Sequence, residues 1–168
     1  MTFTIETFTG QADHAEDRIR LDAISPDGDT QSIFLTRRLA DRMVPLLVDR
    51  AEAQVVPGVP KEIGLAMNQE QLRLEREENP IAPVETKQGS HRWLCLTVHV
   101  GEDDSQVIWT LTDDADNTAV MGLPGDGVRN VLEVLLIVYQ GLEWATQAFP
   151  GWMTAREDVP DRPKRLLN

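Results

Sequence analysis

A chain of 168 residues with a net charge of −12 has room for one shared hydrophobic core, and 41% hydrophobic residues make it too apolar for wholesale disorder. Its acidity argues against nucleic-acid backbones and anionic lipid surfaces as partners. The single cysteine, Cys95, excludes an intrachain disulfide and a cysteine-clustered zinc site and suits a cytoplasmic location.

Phe3 and Ile5 alternate with polar neighbours, which predicts a half-buried first strand ending near Gly10, followed by a polar loop over 11–17. Ile19, Leu21 and Ala23 alternate in the same way and predict a second strand. Ser25-Pro26-Asp27-Gly28-Asp29 is hairpin-turn chemistry: Pro presets φ, Asp bonds its own turn, and Gly accepts positive φ. A third strand through Ile33, Phe34 and Leu35 leads to Thr36 as helix N-cap. Leu39, Met43, Leu46, Leu47 and Ala51 then recur at helical spacing, with Pro45 expected to kink the helix.

Pro57, Pro60, Pro80 and Pro83 bracket a polar segment, read as extended linkers around a short, mostly exposed helix over 68–78. The second half repeats the grammar. A strand is predicted over 91–100, a turn over 101–105, a strand over 107–111, a turn over 112–117 and a short strand over 118–121. Asp126 is the expected N-cap of a long helix reaching Phe149, where Pro150 and Gly151 stop it. The richest apolar run, 128–138, is interrupted by Arg129, Asn130 and Glu133, so no membrane span is expected. The opening residues lack the regions of a secretion signal.

The fold class is therefore α+β, with antiparallel sheets in two β-meander-plus-helix units joined by a proline-containing linker. The units are 1–54 and 91–149, the linker is 55–90, and 150–168 reads as an extended C-terminal arm, all within one compact domain. Trp152 and Met153 are expected to dock in a groove, with basic Arg162, Lys164 and Arg165 meeting acidic surface on the same chain or a partner.

No catalytic, cofactor-binding or metal constellation emerges. His91, Cys95 and His99 share one face of the predicted strand, but successive members lie about 13 Å apart at about 3.3 Å per residue. One zinc needs its ligands within about 2.0–2.3 Å. The turn 122–127 lacks the Lys and Ser/Thr of a phosphate loop, and Asp126 would oppose phosphate charge. Asp113, Asp114 and Asp116 resemble the opening of a calcium loop but lack its later Gly and Glu. They belong to a stretch between Arg92 and Arg129 that has no Lys or Arg, and a basic partner could use them.

The favoured function is a non-enzymatic interaction module, a small subunit or adaptor that binds another protein or itself. Candidate interaction residues are Trp93, Trp109, Trp152, Met153, Asp113, Asp114 and Asp116. The alternatives are a single-stranded nucleic-acid binder whose groove uses Arg18, Arg20, Arg37, Arg38 and Arg42, and an enzyme whose residues are scattered across the fold.

Overall fold

The computed structural model describes residues 2–54 and 57–155. Its α+β architecture holds two four-stranded, mostly antiparallel open sheets, and each half of the chain gives its first strand to the sheet of the other half. β1 (Thr2–Thr4) pairs in parallel with β8 (Thr118–Leu123), placing Phe3 opposite Ala119. The chain then changes sheets. Ile5 N–H donates to Val120 O at 2.8 Å, Glu6 N–H to Ile24 O at 2.9 Å, and β2 (Thr7–Asp13) pairs with β3 (Arg18–Ile24). The strand expected to end near Gly10 is thus two strands, and residues 11–13, expected as loop, are paired. Gln11 faces Arg20 across the ladder, so a polar side chain there marks the outer face of a strand.

The second half repeats the move. β5 (His91–Leu94) pairs in parallel with β4 (Thr30–Thr36). Cys95 N–H donates to Phe34 O and Leu96 N–H to Thr112 O, both at 2.9 Å, and the chain continues as β6 (Thr97–Glu102) beside β7 (Val107–Thr112). The single strand predicted over 91–100 is therefore divided between two sheets. The sheet orders are β1-β8-β7-β6 and β2-β3-β4-β5.

α1 (Arg37–Ala53) starts where Thr36 Oγ1 accepts from Leu39 N–H, and it buries Ala40, Met43, Val44, Leu47 and Ala51. α3 (Gly127–Gly141) buries Val128, Val131, Leu132, Leu135 and Tyr139. The two helices pack on each other; α1 also meets β4 and β6, and α3 meets β2 and β8, so each spans both sheets. Buried residues of both halves form one core cluster. Asp126 stands at the N-cap of α3 without bonding its backbone, because the carboxylate is held by Arg129. The helix ends at Gly141 and does not reach Phe149. Glu143 takes a φ of 57°, while Glu143 N–H donates to Gln140 O and Trp144 N–H to Tyr139 O, a Schellman closure with Glu where Gly is usual.

The helix between the halves, α2 (Lys61–Glu78), has 18 residues and begins directly after Pro60, so it is longer than the short helix expected from residue 68. It buries only Leu65, Gln69 and Leu72. Its polar attachment to α3 is strong: Gln69 Nε2 and Arg73 Nε each donate to the Glu133 carboxylate at 2.8 Å. Arg73 also donates to Met153 O in the short helix α4 (Gly151–Thr154), where the arm was expected to be extended. The rest of that arm, 156–168, with Arg162, Lys164 and Arg165, lies outside the described residues. No described helix is long and apolar enough to cross a membrane.

Candidate functional site

Most of the residues singled out for interaction have structural duties. Trp109 is fully buried, with its ring edge-on to Phe8 at 5.6 Å, and Trp93 is buried with its Nε1–H donating to Gln31 Oε1 at 2.9 Å. Met153 is buried as well. Trp152 is half-buried and donates to Glu52 at 3.2 Å. Asp113 closes its own turn by accepting from the backbone N–H of Ala115 and Asn117 and from the Asn117 side chain. These bonds, that of the side chain foremost, hold its carboxyl below the usual range. Asp116 takes the positive φ of 63° that the turn requires, and Asp114 is exposed beside it. Asp103 closes the preceding turn in the same manner through Ser105 and Gln106. The acidic stretch is thus largely hairpin chemistry.

His91 and His99 lie in different sheets, since the crossing at Cys95 separates them. Among the described residues no three His, Cys, Asp or Glu side chains could hold a metal ion. Cys95 is buried, its Sγ–H donates to Thr97 O at 3.2 Å, and burial pushes its pKa from an ordinary 9.0 up to about 11. Because the folded pKa is the higher one, the thiol's contribution to stability is complete below about pH 8.5 and is lost as pH rises toward 11. Between pH 9 and 11 the stability of the native protein should therefore fall faster than that of Cys95→Ala, by on the order of 2–3 kcal/mol in total. Parallel stability curves by chemical denaturation would show that the thiol ionises freely in the fold.

The arginines proposed for a nucleic-acid groove are mostly engaged with acids of their own chain. Arg18 meets Glu16 at 2.8 Å, Arg20 meets the buried Asp22 at 3.0 Å, and Arg37 meets Asp41 at 3.7 Å.

A different place in the fold has the geometry of a binding site. β1 accompanies β8 only as far as Val120 and then leaves for the other sheet, so Met121–Leu123 have no strand on that side. β2 is the end strand of its own sheet, so it too has a free edge. The two unpaired edges diverge around a cleft of about 590 Å³, within the range of about 300–1,000 Å³ usual for ligand sites. Thr7–Gly10 form one wall, Met121–Leu123 another, and Val131, Val134 and Ile137 of α3 the apolar floor.

Gly10 explains how α3 comes so close. A Cβ at Gly10 would lie 2.5 Å from Val134 Cγ1 and 3.1 Å from Val138 Cγ2, which only glycine avoids. Polar groups stand at intervals around the cleft: Glu6, Arg76, Asp126 and Asn130. Asp126 is paired with Arg129, and Arg76 reaches Asn130 O at 3.5 Å. A second groove of about 380 Å³ shares Arg76 and Ile137 with the cleft, extending it along α3 toward Met153. The corresponding edge in the other half, β6, differs: Arg50 of α1 reaches Val100 O at 3.5 Å and pairs with Glu102 at 3.0 Å, capping that strand.

Sequence reasoning missed the cleft because its walls come from distant segments and carry no titratable signature. The one local sign was Gly10 inside a strand, where a missing side chain often marks a close approach. No protein-family model matches the chain, and neither the curated proteins nor the solved structures yield a match.

Proposed function

We propose that the protein is a non-enzymatic protein-binding module of the reducing cytoplasm, and that its cleft accepts an extended, apolar segment of a partner protein. The observation that carries this reading is the pair of unpaired strand edges, Thr7–Gly10 and Met121–Leu123, facing one another over an apolar floor. Free backbone N–H and C=O groups on an edge strand are a template for an added strand, and alternate side chains of that strand need apolar sockets. Val131, Val134 and Ile137 supply them. A single buried thiol that needs no oxidation partner suits a reducing compartment.

A library of displayed random peptides, selected on the native protein and counter-selected on Ile137→Asp, tests the proposal. Ile137 is 53% exposed, so the substitution spares the core while placing a charge on the cleft floor. Selected peptides should be rich in alternating apolar residues, shift the amide signals of Thr7–Gly10 and Met121–Leu123, and bind Ile137→Asp at least tenfold more weakly. Failure to recover any peptide with that dependence would refute the reading.

A further inference from the structure

The cleft has a movable wall. The segment from Asn79 to Thr86 joins α2 to the strands and contributes Ile81, Ala82 and Pro83 to the side of the cleft nearest the β2 edge. These three residues are exposed, Ile81 to 73%, although Ile and Ala are ordinarily buried when a core can take them. The segment is fastened unequally at its two ends. Downstream, Lys87 N–H donates to Thr30 Oγ1 at 3.0 Å, Lys87 Nζ donates to Gly28 O, and Ser90 Oγ bonds both Lys87 O and Thr30 Oγ1, so the chain is fixed to the β3–β4 turn. Upstream, the last turn of α2 is held by Arg76 on Asn130 O and by Asn79 on Glu75 O. Between those anchors, one hydrogen bond among the described residues ties the segment to the rest of the fold: Val84 N–H to Thr9 Oγ1 at 2.8 Å. Thr9 belongs to the very edge that an added strand would use.

We propose that residues 79–84 are a strap that gates the cleft, with the Val84–Thr9 hydrogen bond as its latch. Closed, the strap passes over the free edge of β2 and shields it, the protection that exposed strand edges commonly receive from a loop. Open, it swings about the fixed point at Lys87 and gives an incoming segment the backbone of Thr7–Gly10. Pro80 and Pro83 keep the strap extended and remove two of its own donors, so it covers the edge without becoming a fifth strand. The gating role rests on the proposed binding function, but the latch itself can be tested without any peptide.

Two variants break the latch from opposite sides. Thr9→Val removes the acceptor at nearly constant shape, and Val84→Pro removes the donor while leaving β2 untouched. In Thr9→Val the Val84 amide should exchange about three- to tenfold faster, the share of a single neutral hydrogen bond, while the Lys87 amide, held by Thr30, keeps its native rate. Amides of the central strands, such as Leu21 and Trp109, should keep their native rates. The apolar dye anilinonaphthalene sulfonate should bind both variants more strongly than the native protein, and Ile137→Asp should cancel the gain. Unchanged exchange of the Val84 amide in Thr9→Val, or no added dye binding in either variant, would overturn the strap. If the strap opens as expected while the displayed library yields no cleft-dependent peptide, the binding function fails and the movable wall stands.

Discussion

Leu135→Asp should leave no cooperatively folded protein. Leu135 is fully buried on α3, within the stripe that also carries Val131, Leu132 and Tyr139, and it belongs to the shared hydrophobic core cluster. The substitution removes an apolar side chain worth about 2–5 kcal/mol when truncated and adds an unpaired buried charge that costs several more. Net stabilities of about 5–15 kcal/mol do not survive that combination. Thermal melting by circular dichroism checks it; a variant that melts cooperatively within a few degrees of the native protein would show that α3 does not face the core.

The second large effect comes from the exchanged strands. Residues 1–54 and 57–168, produced as separate chains, should each lack a cooperative transition, because β8 loses β1 from one fragment and β4 loses β5 from the other. Each fragment would also lose half of a helix pair that spans both sheets. Mixed in equal amounts, the fragments should recover a folded complex whose melting temperature rises with concentration. A fragment that melts cooperatively as a monomer would contradict the interdependence of the halves.

What could be read from the residues depended on whether the deciding interaction was local. The hairpin at Ser25–Asp29 was legible because its chemistry lies within its own residues: Gly28 takes a φ of 84°, and Asp29 N–H finds Ser25 Oγ at 3.1 Å. The start of α1 was legible for the same reason, since Thr36 caps Leu39. The end of α3 was not, because a Schellman turn built on Glu143 lacks the glycine that signals one. Period-two alternation shows which residues of a strand face the core, but it is silent on which sheet receives the strand. Ile5 and Cys95, the buried residues at the two crossings, therefore looked like ordinary members of continuous strands. The tryptophans differ in the same way: Trp109 alternates with Val107 and Leu111, a local marker of its burial, whereas no period surrounds Trp152 at the margin. The cleft followed from the crossings and was hidden with them.

The parallel pairing of β1 with β8 also bears on how the chain is made. A ribosome adds residues at about 5–20 per second, so some seconds pass between the synthesis of Phe3 and that of its partner Ala119. During that interval Phe3, Ile5 and Phe8 have none of their contacts with β7, β8 or α3, and the apolar side of the early hairpin stays open to solvent. Pairings so far apart along the chain also raise contact order, and closing them late slows folding. Neither sheet can be completed from the first half alone, so a nascent chain halted before β8 is a species with unpaired strand edges and exposed aromatic side chains, the kind of intermediate that general chaperones hold.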